Sequence, residues 1–167
     1  MAKDFIFNHH VVNGLYPVAD AFATTGSTGV TDRINMANYN SALFIIHTGV
    51  ATGGTANGAV TLNCYAAASG GSGTAVPFKY RQCASSTSVD TWQALTDAPS
   101  NTFSMHTGSN YIYEIQVNSE DVEAAAGGNK FIELTVTESS DDPVVAGILC
   151  ILTEPRMPQA VPLTAIA

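Results

Sequence analysis

The sequence predicts an all-β domain, a sandwich or a closed barrel. Short alternating segments recur at regular spacing, separated by polar or Gly-rich turns. Val, Ile and Thr together supply 42 of the 167 residues, the side chains that suit a pleated, half-buried surface. Helix signals are nearly absent: only residues 119–126 qualify, with Ser119 as a cap and Asp121 and Glu123 near the positive end. Gly127-Gly128 then stops it. No repeat of 20–50 residues occurs, which argues against a propeller or solenoid.

Taken in order, residues 41–48 (SALFIIHT) form an apolar run that reads as a strand covered on both faces. Residues 59–67 alternate, with Val60, Leu62 and Cys64 on one face. Residues 75–83 alternate as well, with Val76, Phe78 and Tyr80 opposite Pro77, Lys79 and Arg81. Pro77 cannot donate to a central ladder, so this reads as an edge strand guarded by its two cations. Residues 90–95 and 101–106 are shorter strands. Residues 111–117 carry Tyr111, Tyr113, Ile115 and Val117 in one phase, and 130–137 carry Ile132, Leu134 and Val136. Residues 144–152 are apolar throughout and belong in the middle of a sheet. The inward set is expected to include Phe44, Ile46, Leu62, Phe78, Ile115, Leu134 and Ile148.

Charge narrows the function. Only 12% of residues are charged, about half the usual share, and 31 Ser and Thr, 23 Ala and 14 Gly take their place. The net charge is −8, and the three Lys and three Arg are scattered. Phosphate neutralisation needs clustered cations, so no direct nucleic-acid binding is expected. An anionic membrane would repel the chain, and the longest apolar run, nine residues, is too short to span one. The first twelve residues lack the pattern of a secretory signal. Cys64, Cys83 and Cys150 form no C-x-x-C pair, which favours buried thiols in a reducing compartment.

Catalytic patterns find no support. His9, His10, His47 and His106 lack the spacing of a local metal site. No G-x-S-x-G, Walker loop or G-x-G-x-x-G occurs. Glu114 and Glu133 lie on the polar phases of strong strands and could face each other, but a solvated or interface pair suits them better than glycosidase chemistry. Trp92, Tyr111 and Tyr113 could make a sugar-stacking platform, although Tyr111 and Tyr113 follow a core phase and Trp92 reads as an anchor. No enzyme, no cofactor and no metal is expected; a glycan-binding module is the alternative to a structural role.

The order of features carries a resemblance. The stretch Ile34-Asn35-Met36 to Tyr39-Asn40-Ser41-Ala42-Leu43-Phe44-Ile45-Ile46 resembles a turn-to-buried-strand opening in small structural proteins of tailed phages. Thr91-Trp92-Gln93-Ala94-Leu95 is similar to their short middle strand. Phe131-Ile132-Glu133-Leu134-Thr135-Val136-Thr137, the apolar run 144–152 and then Pro155-Arg156 are similar to their closing strand pair and exit. Over residues 32–156 the chain thus resembles the capsid cement (head decoration) proteins of the Bordetella phage jelly-roll type. That resemblance implies an antiparallel β-sandwich of jelly-roll type with extended N- and C-terminal arms. It implies a homo-oligomer, a dimer rather than a trimer, on the exterior of a shell of major capsid protein in the virion, with no catalytic residue and no cofactor.

The expected organisation is an N-terminal arm over 1–29, the sandwich over 30–152 and a C-terminal arm over 153–167. The arms have broken periodicity and several prolines, yet carry Phe5, Phe7, Leu15 and Tyr16 at one end and Met157 and Leu163 at the other. Such groups suit either a cover over the ends of the chain's own sandwich or contact with a sister subunit or the shell. Arg156, Lys79 and Arg81 are the cations expected to meet acidic groups of a partner.

Overall fold

The computed structural model describes residues 8–22, 28–51, 58–83, 91–106, 110–138, 143–157 and 164–166. Twelve strands among them build two six-stranded sheets. They are β1 (His9–Val18), β2 (Thr28–Val30), β3 (Ile34–Asn35), β4 (Tyr39–Ala51), β5 (Gly58–Tyr65), β6 (Thr74–Ala75), β7 (Phe78–Cys83), β8 (Thr96–Ala98), β9 (Thr102–Ser104), β10 (Ile112–Asn118), β11 (Phe131–Glu138) and β12 (Val144–Pro155). One sheet runs β1-β12-β4-β10-β7-β8, the other β2-β11-β5-β6 with β3 on β11 and β9 on β5. All pairings are antiparallel. The pairs nest: β1 with β12, β2 with β11, β4 with β10, β5 with β6. A long hairpin rolled on itself gives this order, which is the jelly-roll winding. The fold is an all-β antiparallel sandwich, as the alternation predicts.

The core follows from period two. Ala42, Phe44 and Ile46 of β4, Ile115 and Val117 of β10, and Ile148, Cys150 and Leu152 of β12 project inward at 0% exposure. From the other sheet they meet Val60 and Leu62 of β5 and Ile132, Leu134 and Val136 of β11, also fully buried. The seven residues expected inside are all buried, Phe78 being the most accessible at 4%. Each open side of the sandwich is closed differently. At the β7 side, Tyr80 stacks on Phe103 of β9 at 4.1 Å between ring centroids, with Phe78 edge-on to Phe103. At the β1 side, the Asp32 amide donates to the Gly14 carbonyl, and the buried Thr31 hydroxyl accepts from the Leu134 amide at 3.0 Å. The β7 side is thus closed by apolar ring packing, whereas the β1-side bonds satisfy polar groups that closure would otherwise strand.

Several expectations are corrected. Residues 9–18 of the expected N-terminal arm are a strand, β1, on the edge of the β12 sheet. Register shifts between Asn13 and Leu15 and between Leu15 and Val18 interrupt its alternation, which hides it from a period-two reading. The C-terminal arm begins late, because β12 continues to Pro155. Its described end returns to its own sandwich: Ile166 bridges to Ile34, and the Asn35 amide donates to the Ala165 carbonyl at 2.8 Å. The strand expected at 75–83 starts at Phe78, beyond Pro77, and is not an edge, since β8 covers it. In place of a strand at 90–95, Trp92 makes one bridge to Cys83 and β8 forms at Thr96–Ala98. The helix, α1 (Ser119–Ala125), is capped by Asn118 rather than Ser119, and the Asn118 amide donates to the Asp121 carboxylate at 3.3 Å. Finally, β4 is covered on one face only.

Two outcomes follow. Phe44→Ala should lower stability by about 3–5 kcal/mol, measured by denaturant unfolding, because the facing strands cannot collapse onto the void. Burial holds the His10 imidazole below its usual 6.5, with Nδ1 3.3 Å from the Tyr39 hydroxyl. As the pH falls, the unfolded chain takes up this proton first. The stability due to neutral His10 is therefore complete above pH 6.5 and is lost as the pH drops from there toward the lower folded value. Melting temperatures recorded across that range should slope less steeply for His10→Gln.

Candidate functional site

The two outer faces of the sandwich differ in chemistry. On the β11 sheet, the outward register rows are Glu133–Asn63, Thr135–Thr61 and Thr137–Ala59, an ordinary solvated surface. On the β12 sheet, the outward rows are Val11–Ile151–Leu43 and Asn13–Leu149–Ile45, with Gly147–His47–Ile112 beyond them. Val11 is 55% exposed, and Leu149 and Val145 are 45% exposed each. These side chains abut along three neighbouring strands, so the exposed groups form one patch rather than scattered residues. Single exposed apolar residues are ordinary on a protein surface, whereas a contiguous set is less so.

The patch holds a hollow of about 370 Å³. Its floor is Gly147, and Leu15, Pro17, Ile45, His47, Ile112 and Leu149 stand around it. A side chain has little room at this spot: a Cβ on Gly147 would lie 3.0 Å from Pro17 Cγ and 3.3 Å from Pro17 Cα. Pro17 ends the regular part of β1 and leans over the β12 backbone, which sets one wall.

The polar margin of the face lies on β10, β7 and β8. Arg81 Nε donates to Glu114 Oε2 at 2.6 Å, and Lys79 Nζ to Asp97 Oδ1 at 2.7 Å. The Arg81 guanidinium also covers the Trp92 ring at 4.6 Å. The Asp97 hydrogen bond, and then its charge, raise the Lys79 pKa above its usual value. Exposed pairs like these contribute little stability, but they cancel charge locally.

The expected site residues divide. Leu15 lines the hollow, Tyr16 lies beside it at 72% exposure, and Lys79 and Arg81 share the same sheet face, already engaged by acidic partners of their own chain. Arg156 and Met157 lie past the far end of β12; Arg156 Nε donates to Asn40 Oδ1 at 3.1 Å, and Met157 is exposed. Phe5, Phe7 and Leu163 are outside the described residues. Glu114 and Glu133 do not face each other: they sit on different sheets, each with its own arginine. Tyr113 is buried, its hydroxyl accepting from the His106 amide at 3.0 Å and its pKa pushed up by burial. Tyr111 stacks on His106 at 5.4 Å, so no open aromatic platform forms from the three aromatics. The three cysteines are buried and unbridged, and burial pushes the Cys150 thiol pKa well up. No cluster of three metal-ligating side chains forms among the described residues.

Sequence reasoning missed Val11, Ile45, His47, Ile112, Val145, Gly147 and Leu149. The signal was present in two segments, 41–48 and 144–152, that lack a polar phase. Such segments read equally as strands covered on both sides.

No protein-family model matches the chain, and no curated protein matches it. Among solved structures, the SPBc2 prophage-derived protein YomS is similar at 7% identity and TM-score 0.46, over 88% of this chain and 94% of that one. A Clostridium thermocellum xylanase 10B fragment with its CBM22-1 and GH10 modules, complexed with xylohexaose, is 11% identical at TM-score 0.33, covering 88% of this chain and 26% of that one. The VP2 subviral particle protein of infectious bursal disease virus is 12% identical at TM-score 0.29, over 88% and 41%. At TM-scores this low, the likenesses bear on no functional assignment.

The contrast between the faces is measurable. Leu149→Lys should shorten retention on a hydrophobic-interaction column markedly, whereas Thr135→Lys on the opposite face should leave it nearly unchanged. Both sites are partly exposed, so both variants should keep the wild-type stability within about 0.5 kcal/mol.

Proposed function

We propose that the chain is a structural virion protein, a capsid cement or decoration protein that binds the outside of a shell of major capsid protein and stabilises it. The observation that carries this reading is the asymmetry of the sandwich: one outer face polar, the other apolar and hollowed. A subunit that works within an assembly buries the apolar face and leaves the polar one in water. It acts by contact, without a catalytic step or cofactor, and as a homo-oligomer. The net charge of −8 supports a place outside the shell, since an acidic protein is repelled by packaged nucleic acid. On this reading it is made in the host cytoplasm and ends on the capsid exterior.

The glycan-binding alternative has less support, because Arg81 covers the Trp92 ring, and Tyr111 and Tyr113 are taken up by stacking and burial. Quantitative mass spectrometry of purified virions decides between them. A cement protein appears in many copies at a fixed ratio to the major capsid protein, and particles stripped of it lose heat resistance. Its absence from particles, together with retention of the free protein on immobilised glycans, would overturn the proposal.

A further inference from the structure

We infer that the hollow on the β12 sheet is a binding site for a small, uncharged aliphatic molecule with a single hydroxyl head. The inference concerns the free chain and does not depend on the virion reading, in which the shell covers the same face.

Size and lining select the body of the ligand. The hollow measures about 370 Å³, within the range of small-molecule sites. At the ~30 Å³ that a water-sized group takes in a liquid, it holds about a dozen heavy atoms. A single leucine or phenylalanine side chain from a neighbouring protein would leave much of it empty, and walls without a partner forfeit their dispersion contacts. Leu15 and Pro17 of β1, Val145 and Leu149 of β12, Ile45 of β4 and Ile112 of β10 supply those walls. Pro17 packs against Gly147 and closes the β1 side. Among the described residues no phenyl, phenol or indole ring lines the space. A flat ring therefore finds no stacking partner, whereas a flexible alkyl chain conforms to branched aliphatic walls.

Charge and hydrogen bonding select the head. His47 is paired across the ladder with Gly147 on one side and Ile112 on the other, and it is the one polar side chain in the described lining. It is exposed and has no hydrogen-bond partner among the described residues. A neutral imidazole offers one donor and one acceptor nitrogen, and a hydroxyl can meet either. Lys, Arg, Asp and Glu are all absent from the described lining. An ammonium head would thus meet no carboxylate, and a carboxylate head would approach a chain of net charge −8. The uncharged head remains.

Titration of the purified full chain with 1-butanol, 1-hexanol and 1-octanol, followed by methyl NMR, should give saturable shifts at Leu15, Ile45, Ile112, Val145 and Leu149. Affinity should rise by up to about four-fold per added methylene. His47→Leu should weaken 1-octanol about two- to ten-fold, the loss of one neutral hydrogen bond, and leave hexane bound as in the wild type. Octanoate and octylammonium should each bind more weakly than 1-octanol. The inference is overturned by any of four results: no saturable shift, shifts spread over the methyls of both sheets, an affinity independent of chain length, or 1-octanol binding that His47→Leu leaves unchanged. Retention on phosphatidylcholine vesicles without saturable alkanol binding would overturn it too, and make the face a bilayer contact. A wild type that ignores the alkanols but loses its particle occupancy in Leu149→Lys would give the hollow to the shell, leaving the virion reading intact.

Discussion

The structure depends on β12 being apolar in both phases. Its inward phase, Val144, Ala146, Ile148, Cys150 and Leu152, is buried against the other sheet. Its backbone pairs with β1 on one side and β4 on the other, so it joins the start of the chain to its centre. Sandwich strands ordinarily satisfy the core with one phase and water with the other. Here the second phase does neither, and the apolar face of the β12 sheet results directly from that choice.

The remaining surface is held by local polar devices that keep charge out of the way. On the β11 sheet, Arg33 Nε donates to Glu133 at 3.2 Å, and its guanidinium lies 3.5 Å over the Tyr65 ring. The same arginine donates to the Ala67 and Gly70 carbonyls, while the Tyr65 hydroxyl donates to Glu133 at 2.7 Å. This cluster ties the β5–β6 connection to β11, and burial together with Glu133 raises the Tyr65 pKa. Gly70 and Gly71 take positive φ of 70° and 74° in that turn, which glycine adopts without steric cost. Three of the six cations, Arg33, Lys79 and Arg81, are thus engaged in intramolecular ion pairs.

Much of the fold was legible because the alternation in 59–67, 111–117 and 130–137 names its own inward residues: Leu62, Ile115 and Leu134 are all fully buried. What failed has specific causes. In β1, two register shifts change the phase, so Val11 and Val12 read as noise though one is exposed and the other buried. Pro77 suggested an edge, but the ladder of β7 begins one residue later. Of the expected interface residues, Leu15, Lys79 and Arg81 lie on the outer face of the β12 sheet, although the sequence offers them only as parts of an arm and a guarded edge. Gly147 was invisible, because a hollow depends on how Pro17 crosses β12, and sequence spacing does not encode that crossing.

The nested pairing also has a consequence in time. One edge of β4 is bonded only to β12, whose first residue lies roughly ninety positions after the end of β4. At ribosomal elongation rates of about 5–20 residues per second, that separation amounts to some 5–20 s. During this interval the Leu43–Ile46 stretch has neither its later neighbour nor a completed core, and the non-local ladder cannot form early. The nascent chain must therefore be kept from pairing with its siblings on the same messenger until residue 155 has cleared the exit tunnel.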